Sequence, residues 1–412
     1  MKIRSITYFC NPGWPLNQKK LRAAGAFLAE AKSAYEAEGY EVQTTRLATV
    51  PFPRLLGAKK IAEAPRLAEE LTRLLPEVEI GYASLGPALP ESAASYALIP
   101  EAIAGSKNVF FAGVMAGKTA GKPAGSRIHL DAVRACAEVI VHTSTLEPNG
   151  FANLRFAALA NVQPGAPFFP AAYHEGDQPA FALAMEAADV AVQAFEIART
   201  VEDGQQVMAD ILEENAHTLV KVADFLKYKH LIHFGGIDFS LAPFPEETRS
   251  LGAAVERMGV TRVGLHGSLA AAAILTEAIE RGNFPRAGFC GFMQPVLEDP
   301  ILAQRAAEGT LIVKDLLLYS AVCGTGLDTV PLPGDVTPEQ IAALLLDIAA
   351  LSLRLDKPLT ARLLPIPGKR VGAATVFDFG YFSNSRVMSL EAKPLEKALG
   401  GEETIRLEKQ GQ

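Results

Sequence analysis

The sequence is poor in the features that announce most function classes. Its four cysteines (Cys10, Cys136, Cys290, Cys323), spread over 412 residues, include no C-x-x-C pair, which fits neither a disulfide framework nor a thiolate zinc site. No stretch approaches the ~20 uninterrupted apolar residues of a membrane span. The most apolar helical candidate, 341–355, is interrupted by Asp347 and Arg354. The opening run from Met1 is too short and too interrupted for a signal peptide. A soluble, reducing, cytoplasmic setting follows as the expectation. Basic residues are also in deficit, with 39 Lys+Arg against 46 Asp+Glu and a formal net charge of −7. That balance, without a dense Lys/Arg tract, argues against nucleic acid as the main partner. Neither G-x-G-x-x-G nor H-E-x-x-H occurs, so no dinucleotide site is indicated and any metal site must assemble from distant segments. The sequence leaves cofactor and metal identity open.

What is present is apolar material. Hydrophobic residues make up 49% and charged residues 21% of the chain, enough for a large core and incompatible with intrinsic disorder. Strand-like runs (3–9, 42–47, 79–84, 108–114) alternate with helical patterns (19–37, 59–75, 91–103), which predicts an α/β architecture. Residues 179–229 read as an almost wholly helical block joining two α/β halves, roughly 1–178 and 230–400. Beyond it, 231–240 and 262–266 read as strands, 338–355 as a helix, and 359–366 and 374–379 as strands again. Residues 401–412 read as a loose polar tail.

Local chemistry gathers at a few places. The stretch Cys323-Gly324-Thr325-Gly326-Leu327-Asp328 through Pro333-Gly334-Asp335 reads as a rigid loop, with Thr337 as N-cap and Pro338 in the first turn of the next helix. It offers a thiol and two carboxylates; its plain reading is a stiff connector with capped turns. Asp238 and Ser240 sit two apart on an apparent strand end, so they share a face. Gly264-Leu265-His266-Gly267-Ser268 reads as a strand ending in a histidine before a helix N-terminus, suited to an anion. His174 follows a Pro/Phe-rich loop. Arg362 stands in an apolar strand, where a guanidinium needs an anionic partner: either Asp328 or Asp335, or a bound carboxylate or phosphate.

Taken together, Cys-Gly-Thr-Gly-Leu-Asp at 323–328, Pro-Gly-Asp at 333–335, Asp-Phe-Ser-Leu-Ala-Pro at 238–243, His-Gly-Ser at 266–268 and Thr-Ala-Arg at 360–362 resemble the prokaryotic domain-of-unknown-function family 711. The opening Tyr8-Phe9-Cys10-Asn11-Pro12-Gly13-Trp14 resembles one branch of it. The resemblance implies a fold similar to the pyruvate formate-lyase-like barrel: ten strands in two half-sheets wrapped by helices, with the Cys323 loop as a central finger. It does not imply radical chemistry. A glycyl-radical signature reads Arg-Val-x-Gly-aromatic, and Arg370-Val371-Gly372-Ala373 is one residue short and lacks the aromatic.

Two function classes follow. One is an enzyme acting on a small anionic metabolite inside the barrel, with Cys323, Asp328, Asp238 and His266 as catalytic candidates. Ser240, Ser268, Arg362, Asp335 and His174 would then be ligand-binding residues. The other is a non-catalytic metabolite-binding or regulatory protein using the same pocket. Aromatic–proline segments such as Pro167-Phe168-Phe169-Pro170 and Asp378–Phe382 suggest exposed patches, and hence a homo-oligomer, most simply a dimer.

Overall fold

The computed structural model describes residues 1–118 and 126–410. Among the described residues eleven strands form one sheet: β1 (Lys2–Cys10), β2 (Thr45–Thr49), β3 (Tyr82–Ala88), β4 (Val109–Lys118), β5 (Ser126–His129), β6 (Phe156–Ala160), β7 (Ala180–Glu186), β8 (His233–Asp238), β9 (Gly326–Pro333), β10 (Leu359–Ile366) and β11 (Thr404–Arg406). The main path runs β8-β7-β1-β2-β3-β4-β6-β10-β9, with β5 and β11 branching from β4. Pairing is parallel from β1 through β4 to β6 and antiparallel at β7–β1 and β6–β10. The α/β class holds. The closed ten-stranded barrel does not, because the hydrogen-bonded path ends at β8 on one side and β9 on the other.

That gap is spanned by the irregular segment 285–298. On the β8 edge, the Ile237 N–H donates to Pro285 O (2.8 Å) and the Ala287 N–H to Ile237 O (3.1 Å). On the β9 side, the Gly324 N–H donates to Phe292 O (3.0 Å) and the Val296 N–H to Asp328 O (3.1 Å).

Several elements depart from the sequence expectation. Within the expected helical block, residues 180–186 form β7, because good helix formers (Ala, Leu, Met) are overridden by a slot between β1 and β8 that buries both faces. The rest of the block is helical, Ala188–Ile197 and Val201–His230. Gly204 lies inside the second of these helices, where an added Cβ would collide with the Phe195 ring, so the glycine permits close packing. The Cys323–Asp335 loop is mostly strand β9. Residues 262–266 are turns, forced by Gly264 and Gly267 at φ +101° and +105°. Residues 374–379 make only an isolated bridge, Ala374 to Arg386. The polar tail is tied down where β11 pairs with β5.

Other local readings hold. Thr337 caps the helix Pro338–Leu355, its hydroxyl accepting the Gln340 N–H at 3.3 Å while Gln340 Oε1 accepts the Thr337 N–H at 3.0 Å. Among the described residues no helix is long and apolar enough to cross a membrane.

Candidate functional site

A cavity of about 610 Å³ lies against one face of the sheet. Arg4 of β1, Arg46 of β2, Tyr82 of β3, Phe110 of β4, Ala184 of β7, Asp238 of β8 and Arg362 of β10 all line it. Strands from both ends of the path therefore reach one space, so the sheet curls around it. Glu298, from the bridging segment, completes the wall.

Local backbone geometry sets the Arg362 side. In the β9–β10 register Leu327 faces Ala361 and Val330 faces Leu363, so Asp328 and Thr329 together oppose the single residue Arg362. This is a β-bulge, and Thr329 carries it at φ +43°, an uncommon conformation for a β-branched residue. The bulge sets Asp328 against Arg362. Arg362 Nε donates to Asp328 Oδ1 at 2.5 Å, and Nη2 to Asp328 Oδ2 at 3.0 Å. Arg362 Nη2 also donates to Glu298 Oε1 at 2.8 Å.

From there an ion chain continues. Glu298 accepts from Arg4, Arg4 lies 4.0 Å from Glu186, and Glu186 accepts from Arg249. Three carboxylates thus alternate with three guanidiniums. Burial alone would push Glu298 up, yet the Arg4 and Arg362 guanidiniums hold it below the usual carboxylate range. Burial likewise works against the Arg362 charge, and Asp328 and Glu298 more than restore it.

Arg46 is the exception. Its Nε donates to Thr44 Oγ1 at 2.9 Å and its guanidinium lies 5.0 Å from the Phe169 ring centroid. Among the described residues no carboxylate pairs with it. Burial and the nearby Arg4 charge pull its pKa down to about 9, with Arg362 adding to the effect and Tyr82 and Glu298 opposing it without cancelling it. That shift is the signature of a cation short of an anion.

Asp238 and Ser240 line the same cavity, although β8 ends at Asp238 and it is the Ser240 hydrogen bonds to the Asp238 carboxylate, not strand alternation, that hold the two together. Asp238 accepts from the Ser240 N–H (3.0 Å), the Ser240 hydroxyl (2.6 Å), the Phe289 N–H (3.0 Å) and the Cys290 N–H (3.0 Å). Burial pushes its carboxyl upward and these donors pull it back. Gly288, at φ +67°, lies so close that an added Cβ would strike the Asp238 carboxylate. The carboxylate thus latches the 288–290 turn of the bridging segment to the end of β8.

The other sequence candidates are placed elsewhere. Asp328 is wholly buried behind Arg362, its carboxylate spent on that pair. Cys323 is buried and does not line the cavity; its Sγ accepts the Gly326 N–H at 3.4 Å, and Lys357 donates to its carbonyl. His266 is exposed in the turn before the helix Ser268–Arg281. Ser268 closes that turn, accepting from the Gly264 N–H (3.1 Å) and donating to Leu265 O (2.8 Å). Asp335 is exposed in the turn beyond the far end of β9. His174 is buried beside a separate pocket of about 200 Å³, where burial lowers its pKa.

The expected convergence is therefore partial: Asp238, Ser240 and Arg362 meet, with Asp328 behind. Phe168, Phe169, Phe379 and Tyr381, from the two segments expected at an outer interface, line the cavity instead. Sequence reasoning missed Arg4, Arg46 and Glu298. A charge inside an apolar strand, the feature that marks Arg362, is also present at Arg4 in KIRSITYFC and at Arg46 in TRLAT. Among the described residues no group of three or more His, Cys, Asp or Glu side chains is placed to hold a metal ion.

Comparison with known proteins gives a family and no reaction. A family model described as Uncharacterised ACR (DUF711) matches residues 1–384. A UPF0210 protein of Pyrobaculum islandicum is 32% identical over 367 residues, covering 83% of this chain and 77% of the relative. A UPF0210 protein of Actinobacillus succinogenes is 26% identical over 374 residues, covering 87% and 82%. The match to a UPF0210 protein of Pyrobaculum arsenaticum, 36% identical over 253 residues, spans 60% of this chain and only 55% of that relative's length.

Proposed function

The chain belongs to the DUF711 family of uncharacterised ACR proteins, and we propose that its curled-sheet cavity binds a small anionic metabolite. The observation that carries this reading is Arg46. The neighbouring guanidiniums are matched by carboxylates, whereas Arg46 faces the cavity with a hydroxyl and a ring for company. Arg46 is half-buried and no carboxylate among the described residues is paired with it, so part of its charge is desolvated without a direct partner, and a bound anion offsets that cost. The cavity volume lies within the ~300–1,000 Å³ common for small-molecule sites.

The test is titration calorimetry with small carboxylates and inorganic phosphate as probes. A charge-assisted hydrogen bond is worth about 1.5–3 kcal/mol, so Arg46→Gln should weaken anion binding roughly 10- to 100-fold. Equal affinity in the variant, or no anion binding by the native protein, would sink the reading.

A catalytic use of the same pocket is favoured by one observation. Asp238, its pKa raised by burial, lines the wall beside the Ser240 hydroxyl and suits acid–base work. Conversion of a metabolite from a cell extract, lost in Asp238→Asn while anion binding survives, separates enzyme from binding protein. We read the curl of the open sheet, with the 285–298 segment across its gap, as a likeness to the glycyl-radical type of fold without its closed barrel, a likeness of fold alone.

A further inference from the structure

We infer that the ligand is an aromatic monocarboxylate. This rests on the anion-binding reading and adds the ligand's charge and body. Its charge follows from the ion chain, in which Asp328, Glu298 and Glu186 alternate with Arg362, Arg4 and Arg249. Of the cavity's other cations, Lys107 is exposed and Arg155 lies 3.9 Å from Glu147 and donates to the Ile103 carbonyl, so the guanidinium left beside the ion chain is that of Arg46. One carboxylate neutralises one guanidinium and matches its planar fork; a dianion would bring a second charge beside the carboxylate of Glu298.

The body follows from the walls. Tyr82, Phe110 and Phe169 form an edge-to-face series, with centroids 5.7 Å apart for Tyr82–Phe110 and 5.5 Å for Phe110–Phe169. Arg46 stacks on the last ring of that series, so the anion anchor and the aromatic wall are contiguous. Phe379 and Tyr381, 5.3 Å apart, supply further cavity wall from the irregular 370–390 region. Phe110, Phe379 and Tyr381 are each only half-buried, which leaves ring surface without a packing partner. Rings prefer offset or edge-on contact with other rings, and a planar aromatic body supplies that contact. An anion of acetate size reaches Arg46 and leaves these rings uncovered.

The experiment is calorimetric titration of the full chain with acetate, phenylacetate and phenyl phosphate. Phenylacetate is expected to bind roughly 30-fold or more tighter than acetate, the worth of burying one phenyl ring. Tyr381→Ala, a change on an irregular segment, is expected to lower phenylacetate affinity several-fold and leave acetate unaffected. Equal affinity for acetate and phenylacetate overturns the aromatic body while anion binding stands. Tighter binding of phenyl phosphate than of phenylacetate overturns the monocarboxylate. Failure of all three probes to bind overturns the anion reading itself, and this inference with it.

Discussion

Asp328→Asn tests the cavity wall most directly, because the change removes one charge and almost no volume. In the native protein Asp328 is fully buried and receives two hydrogen bonds from Arg362, at 2.5 and 3.0 Å. With asparagine there, one acceptor oxygen remains but Arg362 keeps only Glu298 as an anionic partner, which Arg4 already shares. Leaving a buried charge short of its partner costs about 3–5 kcal/mol. Unfolding entropy near ~2.1 cal/mol/K per residue, taken over 412 residues, turns that into a Tm loss of roughly 4–6 °C. Scanning calorimetry on Asp328→Asn, Arg362→Gln and the double variant supplies the cycle. The double variant should lose at least about 2 kcal/mol less than the sum of the single variants, because the second change removes the charge the first left unpaired. A Tm for Asp328→Asn within about 1 °C of the native value, or strict additivity, would refute the pair as the organising contact of this wall.

Three further outcomes follow. Glu298 has a folded pKa below its ordinary value, so its contribution is complete above the unfolded carboxylate value of about 4.3 and is lost as pH falls through the lower folded value. Urea midpoints measured from pH 6 down to pH 3 should therefore fall in the native protein, and fall less steeply in Glu298→Gln, which starts lower. Gly288→Ala combines a left-handed φ with a clash against the Asp238 carboxylate and should cost about 2–4 kcal/mol in a thermal melt; an unchanged melt would mean the latch is not needed. Cys323→Ser should leave phenylacetate affinity within about twofold, below ~0.5 kcal/mol, since the thiol does not line the cavity; loss of binding in a variant that melts normally would restore Cys323 to the site.

Legibility in the sequence followed periodicity and failed where tertiary contacts decide. The alternation of strands and helices gave the α/β class, and Thr337-Pro338 gave a helix start that the structure keeps. β7 was hidden because AFALAME is written in helix formers, and only burial on both sides makes it a strand. β9 was hidden because its glycines and prolines read as a loop, although its Pro331 and Pro333 sit in the ladder with β10. The Asp328–Arg362 pairing was one of the alternatives visible in sequence. The bulge that creates it was not, because a left-handed Thr329 leaves no compositional trace. Arg46 was within reach of the reasoning used for Arg362. What set it apart, that no carboxylate among the described residues pairs with it directly, exists only in three dimensions.

The irregular segment 285–298 has a consequence for association as well as for the cavity. A sheet whose main path stays open presents an edge at each end of that path, a row of unpaired amides able to template strand addition from another chain. Here one stretch of chain bonds to part of each, at Ile237 on the β8 side and at Asp328 on the β9 side. With Pro285, Pro295, Gly288 and a left-handed Cys290, it is too irregular to offer a third edge in their place. Loosening this stretch would therefore open the cavity and, in the same motion, uncover two adhesive edges, so that the cavity wall doubles as the protein's guard against edge-to-edge aggregation.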